Sequence, residues 1–488
     1  MPNIPNAPNA RRLELSNRLL CYTFPGFFFL SLFGFDAGYC LIAGLVSPYV
    51  IAWASTRNMV EPDLGDSDTE HDNVKRPVSQ AEIDGVVQST HQLYASLPAH
   101  GKPRVRDNGV TEWTILASIS LSKERKVTPI ALGTGVKCLP AARLPPLGDT
   151  LHDSHAEVLA RRGFMRWLLS EAESAYDGTS TFLVWDGSRF SLAPGVEVWL
   201  YVSALPDSAM RDAFAAAPEL TRTGEGAVRG RKGYETYGAI RTKPGRADSQ
   251  ASVSFSCSDK IALWNALGLQ GGLLSNLFAP IHLDHIVVGG VEPPEGTDAA
   301  SYGPSIVREA ERALSGRLDS THQPQVHLTN EDFELSKSVV EGEGKTIATS
   351  PICLSAVPSL GKNEVLVDGC VQSSAWKTPG TTLVKPKMRS RLCKYELLQA
   401  YLSLLGKISP EESERAAAKT YYDLKDEAYR VRKAQLRGEI APGVPESWEK
   451  LLRNGEKFGT TEGEAPFKGW IVAGKEFESF NAAGDIFP

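Results

Sequence analysis

The chain has 488 residues, a net charge of −6 and 42% hydrophobic residues, the composition of an ordinary globular protein long enough for one large core and up to three domains. That charge speaks against a generic basic nucleic-acid binder, while leaving room for a local positive patch. The seven cysteines (Cys21, Cys40, Cys138, Cys257, Cys353, Cys370 and Cys393) are odd in number and make no C-x-x-C, which argues against a disulfide scaffold or a zinc finger and for a reducing compartment.

The N-terminal stretch is the least conventional. Between Arg18 and Arg57 the single charge is Asp36, and residues 19–54 are apolar enough for one membrane span. Pro25, Pro48 and several glycines interrupt it, and Asp36 would be costly at mid-bilayer. Residues 1–57 therefore read as an apolar extension, either membrane-associated or an artefact of the gene model. Residues 58–78 read as an acidic linker, with Glu61, Asp63, Asp66, Asp68, Glu70 and Asp72 among Pro, Gly and Ser and too little apolar surface to fold.

The folded part is expected over 79–485. Ser79 and Glu82 make a capping-box pattern ahead of Ile83, Val86, Val87, Leu93 and Tyr94 at helical spacing. Residues 113–122 and 127–132 read as strands, 158–172 as an amphipathic helix, 196–204 as a buried strand and 210–216 as a weak helix. From Arg222 to Arg246 a glycine-rich segment carries seven Lys or Arg against Glu225 and Glu235. It is either a solvated loop or a contact for a nucleic-acid backbone. Another helix opens at 256 and stops at Gly268, and 282–289 is strand-like. Lys385 to Lys394 is a second basic run, with five positive charges and no acid. Helical periodicity returns over 395–405 and 411–436. Strands alternating with helices predict an α/β layered domain.

Asp153-Ser154-His155-Ala156-Glu157 stands at the expected start of the 158–172 helix. Two chemistries compete for it. An H-x-E at a helix start is the pattern of zinc deaminases, with the His as metal ligand and the Glu as proton carrier. Ser154 to Glu157 is equally an S-x-x-E capping box, in which Glu157 merely bonds back to the helix start. Cys257 is likewise either a thiolate ligand ahead of a helix or a small buried hydrophobe. Lys425, Tyr429 and Lys433, spaced i, i+4, i+8, would share one helix face, either solvated or presented to a polyanion.

The order of these pieces resembles the adenosine-to-inosine editases, and among them the tRNA-specific adenosine deaminases. The matching stretches are Gly101-Lys102-Pro103, Glu112-Trp113-Thr114, Gly133 to Cys138, Asp153 to Arg162, Arg241 to Arg246, Ser256 to Asn265, Ser390 to Lys394 and a C-terminal Tyr/Lys-rich helix. The resemblance implies a cytidine-deaminase-like three-layer α-β-α core with an added C-terminal helical region. It implies zinc held by His155 and Cys257, Glu157 as proton shuttle, and Lys137, with Arg241, Lys243 and Arg246 of the RTKPGR stretch, at the RNA substrate. It also implies inositol hexakisphosphate buried under the active site. The positions matching that lining are Arg161, Arg162, Lys260, Lys394, Tyr421, Lys425, Tyr429, Lys433, Trp470 and Lys475. The Tyr/Lys helix is two residues shorter than the family pattern, so Tyr422 competes with Tyr421, and Leu263 stands where the family usually has Arg.

One departure matters most. Where the family carries Pro-Cys-Gly-Asp and its third zinc ligand, this chain reads Pro206-Asp207-Ser208. Three readings stand open: an error in the recorded sequence at a splice junction, Asp207 as an oxygen ligand, or a homologue that binds tRNA without deaminating it. The resemblance implies adenosine next to the anticodon of alanine tRNA as target, in cytoplasm or nucleus, with no protein partner. Residues 1–80 hold no pattern for a double-stranded-RNA-binding domain.

Overall fold

The computed structural model describes residues 76–205, 228–229, 240–243, 250–291, 293, 298–316, 318, 322–342, 344–361, 363–372, 384–439 and 465–487. The apolar extension, most of the acidic linker, Asp207, the helix expected over 210–216, Arg246 and most of the basic segment lie outside them. Arg76–Pro488 forms one compact unit of its own.

Its helices are α1 (Gln80–Ser96), α2 (Ala156–Tyr176), α3 (Cys257–Leu267), α4 (Gly271–Leu274), α5 (Ala299–Glu311), α6 (Lys337–Gly342), α7 (Lys394–Ile408), α8 (Pro410–Ala417) and α9 (Glu427–Leu436). The strands before α3 are β1 (Thr111–Trp113), β2 (Leu116–Lys123), β3 (Lys126–Thr134), β4 (Val136–Cys138), β5 (Asp153–His155), β6 (Leu183–Trp185), β7 (Phe190–Leu192), β8 (Val196–Val202), β9 (Val228–Arg229) and β10 (Arg241–Thr242). Those after it are β11 (His285–Val288), β12 (Gln325–Leu328), β13 (Ile347–Thr349), β14 (Cys353–Ala356), β15 (Glu364–Val367) and β16 (Cys370–Val371).

Eight of the strands make one mixed sheet in the order β12-β11-β8-β2-β3-β14-β15-β16. β8, β11 and β12 run parallel, and the remaining pairs are antiparallel. Alternation along the strands sorts the core into two layers. Ala117, Ile119, Leu121, Val198 and Leu200 pack with Phe164 and Leu168 of α2 and Ile261 and Trp264 of α3. Leu116, Leu132, Trp199 and Tyr201 face Ile83, Val86 and Val87 of α1, where Thr90 Oγ1 meets Ser118 Oγ at 2.6 Å. The sheet is thus sandwiched by helices, the three-layer architecture expected from the sequence. No helix among the described residues is long and apolar enough to cross a membrane.

α1 starts with the expected box: Ser79 and Glu82 bond reciprocally. Arg76 bonds both Glu82 and Glu197, and its guanidinium holds the Glu82 carboxyl down at about 2. α2 lies so close on β3 that a Cβ at Gly133 would come within 2.5 Å of the Ala156 carbonyl oxygen and 2.6 Å of Leu159 Cβ. Glycine there fixes how near the start of α2 approaches the sheet.

Two expected elements are interrupted. The 113–122 strand divides, because β1 leaves the sheet to pair in parallel with β13 while β2 runs on beside β3. The 411–436 helix is two helices. Between them, the Tyr421 and Tyr422 amides donate to the carbonyls of Phe480 and Glu478, tertiary bonds that replace helical ones. Asp426 then restarts the helix, its side chain accepting from the Tyr429 amide at 2.7 Å. Lys425 therefore precedes α9, and only Tyr429 and Lys433 of the proposed triplet share a helical turn. The short strands β14 to β16 had no counterpart in the sequence reading. None exceeds four residues, too few for a period of two to declare itself.

Candidate active site

The H-x-E stretch sits at the junction of β5 and α2. His155 is the N-cap residue and no side chain caps the helix. Glu157 is thereby at the second helical position rather than the third. The capping-box reading fails on geometry. Glu157 is instead 1% exposed, and the Cys257 thiol, a hundred residues on, donates to its Oε2 at 3.2 Å.

Cys257 opens α3, whose N-cap Ser256 accepts from the Asp259 amide. Lys243 Nζ donates to Cys257 Sγ at 2.9 Å. The sulfur thus has a cation and a helix start beside it, both of which favour negative charge there.

Asp153 organises the group. Its Oδ1 accepts from the backbone amide of His155 at 2.9 Å and pairs with His155 Nδ1 at 2.7 Å. A proton held on Nδ1 by the carboxylate leaves Nε2 with its lone pair free to bind. The other oxygen, Oδ2, accepts from Ser254 Oγ at 2.5 Å, from Lys243 Nζ at 3.3 Å and from Lys260 Nζ. Burial opposes charge on Asp153, but Lys243, Lys260 and His155 outweigh it and hold the carboxyl well below the usual range.

These donors suit zinc as far as they go: one imidazole nitrogen, held by Asp153, and one thiol beside the buried Glu157 carboxylate. Among the described residues no three His, Cys, Asp or Glu form a group that could hold a metal. The segment after β8, where the third ligand is expected, lies outside them.

The positions assigned to the RNA substrate separate. Lys137 is exposed, opposite Ser154 in the β4–β5 ladder, and its Nζ donates to Thr349 Oγ1 at 2.7 Å. Lys243 turns inward to Asp153 and Cys257 and is 5% exposed. Arg241 is 7% exposed, with its backbone amide on Asp259. The ladder beside Phe255 draws both residues into the interior, so neither side chain stands on an open surface.

On the far side of Asp153 lies a cavity of about 990 Å³. Arg161, Arg162, Lys260, Lys394, Lys425, Tyr429, Lys433 and Trp470 line it. Tyr421 does not: it is buried, stacked on Phe480 with centroids 5.4 Å apart, and Tyr422 takes the place on the wall. Lys475 is also off the wall, with Nζ 4.6 Å from the Tyr422 ring centroid.

The cavity is short of negative charge. Eight Lys or Arg line it, with the acids Asp153, Glu427, Glu439 and Glu478. Glu478 pairs with Lys394 at 2.9 Å and with Lys425. Against the cost of burial, those two cations hold its carboxyl far below the usual range. Burial, then Lys425, pushes the Lys433 ammonium down to about 7. Burial likewise lowers Arg161 to about 10; its Nε has no hydrogen-bond partner, and its guanidinium lies 4.9 Å from the Trp264 ring centroid. His152, on the same wall, is lowered to about 3 by burial, then by Lys394 and Lys260.

Glu478 and His152 were missed from sequence. Neither lies in a spacing pattern, although His152 directly precedes the Asp153 motif. Asp153 stood inside the motif without a role.

Residues 131–450 match the family described as the adenosine-deaminase (editase) domain. The chain is 30% identical over 373 residues to the tRNA-specific adenosine deaminase 1 of Schizosaccharomyces pombe, covering 73% of this chain and 91% of that relative. It is 30% identical over 347 residues to the Drosophila melanogaster protein of the same name, covering 66% and 81%. With the double-stranded RNA-specific editase Adar of Drosophila melanogaster it shares 27% over 380 residues, covering 71% of this chain and 52% of that relative. With the layered fold, the buried Glu157–Cys257 pair and a match over most of its length, the chain belongs to the adenosine-deaminase (editase) family, a family of hydrolytic deaminases.

Proposed function

We propose that this chain hydrolyses the 6-amino group of an adenosine in tRNA, with water as co-reactant and inosine and ammonia as products. The observation that carries the reading is the meeting of two helix starts, which sets the Cys257 thiol 3.2 Å from the buried Glu157 carboxylate beside His155. Deamination needs a proton taken from the attacking water and protons returned to the ring and the departing amine. A single buried carboxylate can serve all of these, and Glu157 is buried. His155 and Cys257 would hold zinc, which when bound makes water a nucleophile near neutral pH. Asp153 orients the His155 ring for that ligation, and Lys243 places positive charge on the sulfur. The third ligand falls to the segment after β8, with Asp207 as the oxygen donor nearest the family position.

Three things support tRNA as the substrate: the names of the relatives, the basic segment 222–246, and the resemblance to the tRNA branch. The family resemblance points to the base next to the anticodon of alanine tRNA, an unpaired loop base of the kind that is extruded at little cost. Lys137, exposed one strand from His155, suits a contact to that nucleotide. The cavity suits inositol hexakisphosphate: Arg161, Arg162, Arg430 and Lys433 line it with no carboxylate in ion-pair range among the described residues.

Nucleoside mass spectrometry of alanine tRNA after incubation with the purified chain tests the activity. Inosine from the wild type and none from Glu157→Ala is the expected result; no inosine from a chain carrying stoichiometric zinc sinks it. The absence of Cys-Gly at Pro206-Asp207 favours a second reading, a homologue that binds tRNA without turnover. That reading predicts salt-dependent tRNA binding, unchanged in Glu157→Ala, and no product.

A further inference from the structure

The walls of the cavity are unequally charged. α2 contributes Arg161 and Arg162, and α3 contributes Lys260 followed on the same face by the apolar Leu263 and Trp264. α9 contributes Arg430 and Lys433, followed by its C-cap residue Arg437, at i, i+3 and i+7 along one stripe. A polyanion in the cavity meets one cation on the α3 wall and three on the α9 side, where Glu439 pairs with Arg437 and Glu427 is exposed.

Two of those three lie outside the set that the family resemblance marks. Arg437 is already committed, its Nη2 donating to Glu439 at 2.5 Å. Arg430 is not. Its Nε is buried without a hydrogen-bond partner, and its guanidinium sits 5.2 Å from the Tyr422 ring centroid. No carboxylate lies in ion-pair range of it among the described residues, and Glu427, one turn back, is exposed. A guanidinium over an aromatic ring keeps its N–H donors for other partners, and its planar fork can take two phosphate oxygens at once. Leaving such a donor buried and unpaired is costly, and a phosphate would relieve it.

We propose that Arg430, held over Tyr422, is a phosphate-binding residue of this cavity and shifts its ligand towards α9, opposite the apolar Leu263. The inference rests on the reading of the cavity as a polyphosphate site and adds to it the residue that sets affinity in this chain.

Calorimetric titration of the full-length chain with inositol hexakisphosphate, together with the amount of that compound co-purifying per chain, tests it. Arg430→Gln should weaken binding by about tenfold, the usual worth of one charged hydrogen-bonded contact, and lower the co-purified amount. Arg430→Lys should fall between, because it keeps the charge and loses the planar fork. Arg415→Gln, on the exposed side of α8, should match the wild type. Circular dichroism of each variant establishes that it folds, and Arg430→Lys decides the question if the glutamine variant does not. Wild-type affinity in Arg430→Gln would overturn the inference and leave the polyphosphate reading standing. A wild-type chain that neither carries nor binds inositol hexakisphosphate would overturn both.

Discussion

Asp153 has four side-chain partners, and each ties it to a different part of the site: His155, Lys243, Ser254 and Lys260. Replacing it by Asn would remove the carboxylate charge that the buried Lys243 and the part-buried Lys260 face. Such breaks cost about 3–5 kcal/mol, so urea unfolding of Asp153→Asn should show a loss of that order. The sign of the pH effect follows from the lowered pKa. Stability from this carboxylate is complete above about pH 4, the ordinary unfolded value, and is lost as the pH falls towards the folded one. The variant should therefore lose less stability than the wild type on going to pH 3. Glu157 makes the contrast. Glu157→Gln keeps the shape and removes the carboxylate proposed as proton carrier, so inosine formation should fall by about 10²–10⁴-fold with the melting curve little changed. If the melt collapses and the residual activity is high, Glu157 is structural.

Helix starts and close approaches do the positioning at the next scale. α2 carries His155 and Glu157, α3 carries Cys257, and the distance of α2 from the sheet is set at Gly133. A methyl group there meets a backbone oxygen at 2.5 Å and Leu159 Cβ at 2.6 Å, and the backbone oxygen cannot swing away as a flexible side chain would. Gly133→Ala should destabilise by about 1–3 kcal/mol through overpacking, read as a lowered thermal midpoint, and should depress turnover more than tRNA binding. Equal loss of both would mean that the shift is not local to the H-x-E stretch. The same scale shows why a regular helical reading failed over 411–436. Periodicity there is continuous in sequence, but the amides of Tyr421 and Tyr422 are claimed by Phe480 and Glu478, partners from the far end of the chain.

For the molecule as a whole, the buried cations of the cavity make stability depend on pH. Lys433, lowered to about 7, binds its proton more weakly folded than unfolded. Between about pH 7 and the unfolded value near 10 the unfolded chain holds more protons, so the ligand-free chain gains stability as the pH rises through that window. His152, lowered to about 3, acts with the same sign lower down: stability is lost as the pH falls from about 6.5 towards 3. A polyphosphate in the cavity restores the Lys433 charge. Binding of inositol hexakisphosphate at pH 8 should therefore take up protons, seen as a calorimetric heat that varies with the ionisation enthalpy of the buffer. By the same linkage the binding weakens with rising pH, so the rise in melting temperature that the ligand produces should shrink as the pH goes from about 7 towards 10. A buffer-independent heat would remove Lys433 from the binding site.

What sequence alone determined was the class of chemistry and the layering. His155, Glu157 and Cys257 stood out through the family resemblance, since residue types alone left Glu157 open as a helix cap and Cys257 as a buried hydrophobe; the strands and helices are legible because their periods of 2 and 3.6 are local properties of the chain. Only the tertiary structure decided that Glu157 faces Cys257 rather than capping its own helix, that Lys243 points inward, and that Tyr422 replaces Tyr421 on the cavity wall. It alone brought Arg430 and Glu478 to that wall. The reason is physical: the direction of a side chain and the charge it faces are set by groups from other elements, up to 100 residues away for Glu157 and Cys257, and no local pattern records them.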